Sequence, residues 1–367
     1  MRMTIMRALA AGLLTAAASF GSAWAGGIPA GYPSSYADLV KAAKAEGAVS
    51  IYTSTDSAQA KALLEAFSAK YPGIKIEYND LGTNGTYNRV ISEAAAGQVG
   101  ADVVWSSAMD LQMALATDNY IDLYVSPEAK ALPAWASYKD MLYAATVEPI
   151  GMIYNTKALP EASVPKTRAD LIKFLNDNRD TLRGKVATFD PEKSGSGFLH
   201  HTNDARATST FWDLAKAFGA AGGRTYSSSG SMKETVVSGE NVLAFNIIGS
   251  YALDWVKQSP NLGVAFGTDY TPAFSRVLAI TKGAPHPNAA KLFIDFALSR
   301  DGQNALASNG LPSVRTDTDK GFNLATLNER VGGNLKPIAL DEDLLEYMKP
   351  QVRVEFFKKW KASLAGS

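Results

Sequence analysis

AVSIYTSTDSAQAKALLEAFSAKYPGIKIEYND, residues Ala48–Asp80, changes its periodicity twice. AVSIYTS has the apolar, β-branched make-up of a short strand, and DSAQAKALLEAFSAKYPG repeats Ala, Leu and Phe at helical spacing until Pro72 and Gly73 stop it. IKIEYND then alternates as a second strand. A strand, a helix and a strand in immediate succession need a crossover connection, so the stretch predicts parallel strands covered by helices.

The same rhythm continues on both sides. SYADLVKAAKAEG reads as a helix that stops at Gly47, NGTYNRVISEAAAGQVG as another, and ADVVWSS as a further strand. LYAATVEPIGMIYN, from Leu142, is a longer strand candidate with Pro149 and Gly151 in its middle. Proline removes a ladder donor, so the chain is expected to leave one sheet there and enter another. Beyond it PKTRADLIKFLNDNRDTLRG and TSTFWDLAKAFGAAGG read as helices around a KVATFD strand, and SRVLAITKGAPHPNAAKLFIDFALSRDGQNALASNG as a return strand, a turn and two helices. These elements predict an α/β protein of two lobes, one made of 26–148 with 278–367 and the other of 149–277.

The N-terminus sets the compartment. MRMTIMR precedes an apolar run that ends in small residues, and Ala23, Trp24 and Ala25 fit a secretory cleavage site, so residues 1–25 are expected to be a signal peptide. The run is shorter than the ~20 residues that cross a bilayer, and the mature chain is expected not to insert in a membrane. About 340 of the 367 residues then remain, more than one hydrophobic core usually holds. Zero cysteines exclude thiol catalysis, disulfides and thiolate metal sites. With 36 basic and 36 acidic side chains there is no field for gripping nucleic acid.

Catalytic patterns are absent from the sequence. It has no G-x-S-x-G elbow, no H-E-x-x-H and no P-loop, and its three histidines are His200, His201 and His286. The adjacent pair does not share a helix face, which makes it a poor joint metal site, and His286 between two prolines reads as a turn residue. Asp102, Asp110 and Asp190 read as caps and loop acceptors. A secreted hydrolase or transferase therefore ranks low, and no cofactor is implied.

Four segments share a stronger pattern: YTSTDSAQA, LGTNGTYNR, VWSSAMDLQ and DPEKSGSGFLHH each place small hydroxyl or amide residues between a strand and a helix. The first amides of a helix lack internal acceptors and can be met by a capping side chain or by an anion. Ser54, Thr55, Asn84, Gly85, Thr86, Ser106 and Ser107 are the candidates on one lobe. Ser194, Ser196 and Gly197 of SGSG stand on the other, joined by Asn246, Ser250 and Tyr251 in FNIIGSYALDW. Asp56 is divided between capping and recognition. Arg276 is a candidate positive fork at the hinge, and Arg89 is placed to pair with Glu93 one turn on.

GAVSIYTSTD, ADVVWSS, VEPIGMIYN, DPEKSGSG and AFNIIGSYA together resemble the extracellular solute-binding proteins of ABC importers, in the branch that contains ferric-ion, sugar-phosphate and phosphonate binders. The resemblance implies a two-lobed type II periplasmic-binding-protein fold with crossover hinge strands, closure around a solute, a periplasmic location, and a membrane permease as partner to a monomer. It carries ligand contacts onto Ser54, Thr55, Asn84, Ser107, Ser196, Asn246 and Tyr251. Ferric binders of this branch commonly hold iron with adjacent tyrosines, whereas here Ser250 and Tyr251 occupy that place. The expected solute is thus a small organic anion, a phosphate ester, phosphonate or carboxylate, ahead of ferric ion.

Overall fold

The computed structural model describes residues 31–365, so the signal-peptide reading of 1–25 lies outside the described residues. The opening stretch folds as its periodicities require. Strand Ala48–Thr53 runs parallel to Lys75–Asp80 on one side and to Val103–Ser106 on the other, with helix Ser57–Lys70 as the crossover. The first helix, Tyr36–Glu46, ends on Gly47 at φ +74, a left-handed position that glycine reaches without a Cβ penalty.

Two sheets form, each of seven strands. In the first, the parallel strands are extended by Val277–Thr281, which runs antiparallel to Val103–Ser106, and then by Leu142–Ala144. The second is built on Glu148–Asn155, buried along its whole length and flanked by Leu243–Ile248 and Thr271–Phe274. The chain passes between the sheets at residues 145–147 and again at 275–276. The first crossing thus comes before Pro149, which sits second in its strand opposite Ala273. Gly151 is needed inside that strand, since a Cβ there would stand 2.8 Å from the Ala265 carbonyl and the Phe266 ring.

The C-terminus departs from the expected lobe boundaries. The sequence pattern places 278–367 whole in the first lobe, but Leu335–Pro337 pairs with Thr271–Phe274 in the second sheet. Helix Pro350–Leu364 packs on helix Phe211–Ala220 of that lobe, where Trp360 stacks near Phe211 and Phe218 and Phe356 meets Phe198. Burying side chains of this size contributes roughly 1.5–3 kcal/mol each, and the large aromatic surface of the second lobe core offers that gain. Helix Pro287–Leu298 remains with the first lobe, packed on Tyr36–Glu46. Among the described residues, no helix is long and apolar enough to cross a membrane.

Candidate functional site

Parallel strands bring their carboxyl ends, and the helices that follow them, to one edge of a sheet. Here the edges of both sheets face each other. A cavity of about 250 Å³ lies between them, lined by N-cap or first-turn residues of five helices. Asp56 precedes Ser57–Lys70, Gly82 and Thr83 open Gly82–Ala95, and Ser194 and Ser196 begin Gly195–Ala207. Ser228 and Ser229 start Ser229–Ser238, and Ile248 with Tyr251 starts Gly249–Gln258. Ser54, Ser107, Phe189 and Trp255 complete much of the wall.

The lobes touch across this cavity. Ser54 Oγ lies 3.1 Å from Ser107 Oγ, which lies 2.9 Å from Ser196 Oγ on the other lobe. The Gly195 amide donates to Thr83 Oγ1 at 3.0 Å, and Asn84 Nδ2 donates to the Lys193 carbonyl at 3.3 Å. A Cβ on Gly195 would stand 3.0 Å from both Thr83 and Asn84, so glycine permits this approach. Two of the helix starts are capped by their own serines, Ser194 accepting from Gly197 and Ser228 from Ser231. Asp56 holds the N-cap position but accepts no amide of its helix, and the starts at Leu81 and Ile248 carry no side-chain cap.

Of the residues singled out from sequence, Ser54, Ser107, Ser194, Ser196 and Tyr251 line the cavity. The others stand behind it or at its edge. Thr86 Oγ1 donates to the carbonyls of Thr53 and Gly82, Ser106 Oγ accepts from the Ala108 amide, and Gly85 packs against Leu81. Gly197 is pressed on Phe189, where a Cβ would come within 2.6 Å. Asn246 sits at φ +60 in the register shift of its strand and donates to His201 Nδ1.

Arg276 is not on the wall. It is 1% exposed, and its Nε donates to Glu148 Oε1 at 2.7 Å, Glu148 itself being fully buried. The same guanidinium donates to Thr55 Oγ1 at 3.0 Å, and the Arg276 amide donates to Thr146 Oγ1. Ser250 Oγ donates to the other Glu148 oxygen. One buried network therefore ties both crossings to the Ser54–Thr55 loop of the first lobe and to the Ser250–Tyr251 helix start of the second, with Arg276 Cζ 5.1 Å from the Tyr251 ring centre. A buried guanidinium requires such a partner.

The histidine pair is structural. His200 Nδ1 faces the Asn246 carbonyl at 3.0 Å and His201 Nε2 the Phe189 carbonyl at 3.0 Å, which makes those nitrogens the protonated ones. Burial pushes His200 down to about 3 and His201 down to about 4, so both are neutral. His286 donates to buried Asp102 at 2.9 Å and does not line the cavity. Burial raises the Tyr251 phenol above its ordinary value against the pull of Arg276, and the Asp56 carboxylate beside it adds to the rise. Tyr251 is therefore a neutral hydrogen-bond donor. Asp80 is raised by partial burial, countered by its bond from the Gly82 amide and reinforced by Asp56.

Two parts of the wall escaped the sequence reading. RTYSSSGSM is a strand end followed by serines and a helix start, the same pattern as the four segments chosen, and it supplies Ser227, Ser228 and Ser229. Asp80 gave no local signal, because only the parallel pairing of its strand with Ala48–Thr53 brings it to the same edge as Ser54.

Two α/β lobes joined by crossing strands thus enclose a polar cleft. Residues 62–323 match the bacterial extracellular solute-binding protein family, and the chain belongs to that family. Its structure resembles the substrate binding protein of an ABC transporter from Agrobacterium tumefaciens, with 32% identity, 86% of this chain and 94% of that chain covered, and a TM-score of 0.82. The fold is also that of the periplasmic binding protein AfuA from Actinobacillus pleuropneumoniae, which was solved with fructose-6-phosphate: 21% identity, 87% and 98% coverage, TM-score 0.70. A probable ABC transporter periplasmic-binding protein of Sinorhizobium fredii is 29% identical over 66% of this chain and 68% of its own length.

Proposed function

We propose that this protein is the periplasmic substrate-binding component of an ABC importer, which captures a small anionic organic solute by closure of its lobes and presents it to a membrane permease. The solute is a phosphate ester, phosphonate or carboxylate. The protein acts as a monomer after removal of its signal peptide and catalyses no reaction itself.

The observation that carries this reading is the convergence of five helix starts on one interlobe cavity, three of them without a side-chain cap. Each start carries partial positive charge, and the amides not taken by Ser194, Ser228, Thr83 or Asp80 can donate to an oxyanion. Serine hydroxyls from both lobes meet at the same place and can rotate to donate as well. Ferric ion is less well served, since among the described residues the wall offers one phenol. Among the described residues, no group of three or more His, Cys, Asp or Glu is placed to hold a metal.

Native mass spectrometry of the protein purified from its own cells, before and after denaturation, identifies the captured class. Calorimetry against phosphate esters, phosphonates, carboxylates and ferric citrate then ranks them. Micromolar or tighter binding of an organic anion is expected. Stoichiometric ferric binding with no response to the anions would overturn the proposal.

A further inference from the structure

The wall of the cavity is unusual in its formal charges. Asp56 and Asp80 are on it, and among the described residues no Lys, Arg or His is. The buried cation behind the wall, Arg276, is already neutralised by Glu148. Positive character on the wall itself therefore comes from backbone amides at helix starts, each equivalent to roughly half a charge, with Arg276 acting on Asp56 and Asp80 from behind it. That is enough to seat one oxyanion. It is a poor setting for a second one, which would meet two fixed carboxylates with no cationic side chain on the wall to offset them.

The same carboxylates are well disposed to accept hydrogen bonds. An ionised carboxylate offers about four lone-pair sites. Asp80 spends one on the Gly82 amide at 3.3 Å, and Asp56 accepts none from its own helix although it stands at the capping position. Both residues are exposed by more than a third in the cleft, so their remaining acceptor sites face the space that the solute enters. Tyr251, on the opposite lobe, brings a neutral phenol into hydrogen-bonding contact with Asp56, which takes one acceptor site and leaves others for the solute.

We propose that Asp56 and Asp80 are specificity residues that select solutes bearing a hydrogen-bond donor, hydroxyl or ammonium, in addition to the anionic head, and that turn away di- and tricarboxylates. This rests on the anionic-solute reading above and deepens it. A donor group meets acceptor sites that the protein leaves open, and a polyanion meets like charge, so attraction and repulsion favour the same solute.

Calorimetry on the mature protein with four probes tests the inference: a hexose phosphate, an aminoalkylphosphonate, methylphosphonate and citrate. The wild type is expected to bind the hexose phosphate or the aminoalkylphosphonate at least about tenfold more tightly than methylphosphonate, and citrate more weakly than all three. Which donor-bearing probe wins separates hydroxyl from ammonium. The double variant Asp56→Asn/Asp80→Asn, checked for an unchanged melting curve, is expected to lose that preference and to gain citrate binding by about tenfold or more. Because this is a gain, misfolding does not mimic it, and the ranking in the wild type stands as a second readout. Equal binding of citrate and the donor-bearing probes by the wild type, or discrimination that survives in the variant, overturns this inference alone. Failure of a folded wild type to bind any of the four overturns the anion reading and this inference together.

Discussion

Two sets of charges flank the interlobe cleft, and the fold treats them in opposite ways. Arg276 and Glu148, at the crossings, are 1% and 0% exposed and satisfy each other, with Thr55, Thr146 and Ser250 taking up the remaining donors and acceptors. Asp56 and Asp80, at the cavity, have no cationic side chain beside them on the wall and keep acceptor sites turned toward the cleft. The first set is completed within the protein and fixes how the lobes are joined. The second is left for the solute to complete. Charge is therefore a buried structural element at the hinge and an exposed recognition element at the cavity.

The largest expected effect breaks the first set. Glu148→Ala leaves Arg276 buried without its counter-ion, and such removal costs about 3–5 kcal/mol. Urea unfolding would show the loss as a lower midpoint. Replacing both partners by apolar residues, Arg276→Met with Glu148→Leu, is expected to recover a large part of it, because no isolated charge remains. A single Glu148→Ala variant as stable as the wild type would mean that the pair does not hold the hinge.

Asp110 is an intermediate case, a carboxylate that is buried and only partly compensated. Its Oδ1 accepts the Leu111 amide at 2.9 Å, its Oδ2 has no partner, and burial pushes it up to about 6 although Leu111 and Arg353 pull it down. The native state then binds more protons than the unfolded chain between about pH 4 and 6, so this group makes stability fall as pH rises through that window. The full cost, ~3 kcal/mol at most, is present above the native value and absent below about pH 4. His200 and His201, lowered by burial, act in the opposite sense over the acid range. The comparison of wild type with Asp110→Asn isolates the one term: the variant is expected to gain relative stability at pH 7.5 and to lose that advantage at pH 4. Parallel stability curves for the two proteins would remove Asp110 from the account.

Gly195 separates closure from charge. A Gly195→Val side chain would press on Thr83 and Asn84 of the first lobe, already 3.0 Å from the nearest Cβ position, while leaving both charge sets intact. Solute affinity is expected to fall by about tenfold, ~1.4 kcal/mol, with unfolding of the solute-free protein changed by less than ~0.5 kcal/mol. Scattering in the presence of solute would show a lobe pair that stays open. Unchanged affinity would mean that closure does not depend on this contact.

What was legible in the sequence divides along similar lines. Periodicity carried the alternation of strands and helices, because each element's buried face is a local property of its residues. It could not place helix Pro350–Leu364, whose apolar face fits either lobe; the aromatic cluster of Phe211, Phe218 and Trp360 decides the matter through tertiary contact. The serines at strand ends were readable for the same local reason, and Ser54, Ser107 and Ser196 do meet. Arg276 was read as a hand toward the solute, but its partner Glu148 lies 128 residues away and no spacing rule connects them. Asp80 was silent until strand register put it beside the cleft.

The smallest expected effect sets the lower bound of the comparison. Lys361 Nζ lies 2.8 Å from Glu192, joining the C-terminal helix to the turn before Ser194, but the two side chains are 63% and 40% exposed. Water screens such a pair, and holding two long side chains in register costs entropy, so the net worth is usually between 0 and ~1 kcal/mol. Lys361→Ala is therefore expected to shift stability by less than ~0.5 kcal/mol and to leave solute affinity unchanged, since the helix is held by Phe356 and Trp360 rather than by its charges. A loss comparable to that of Glu148→Ala would mean that distance alone, and not desolvation, sets what a charge pair contributes in this protein.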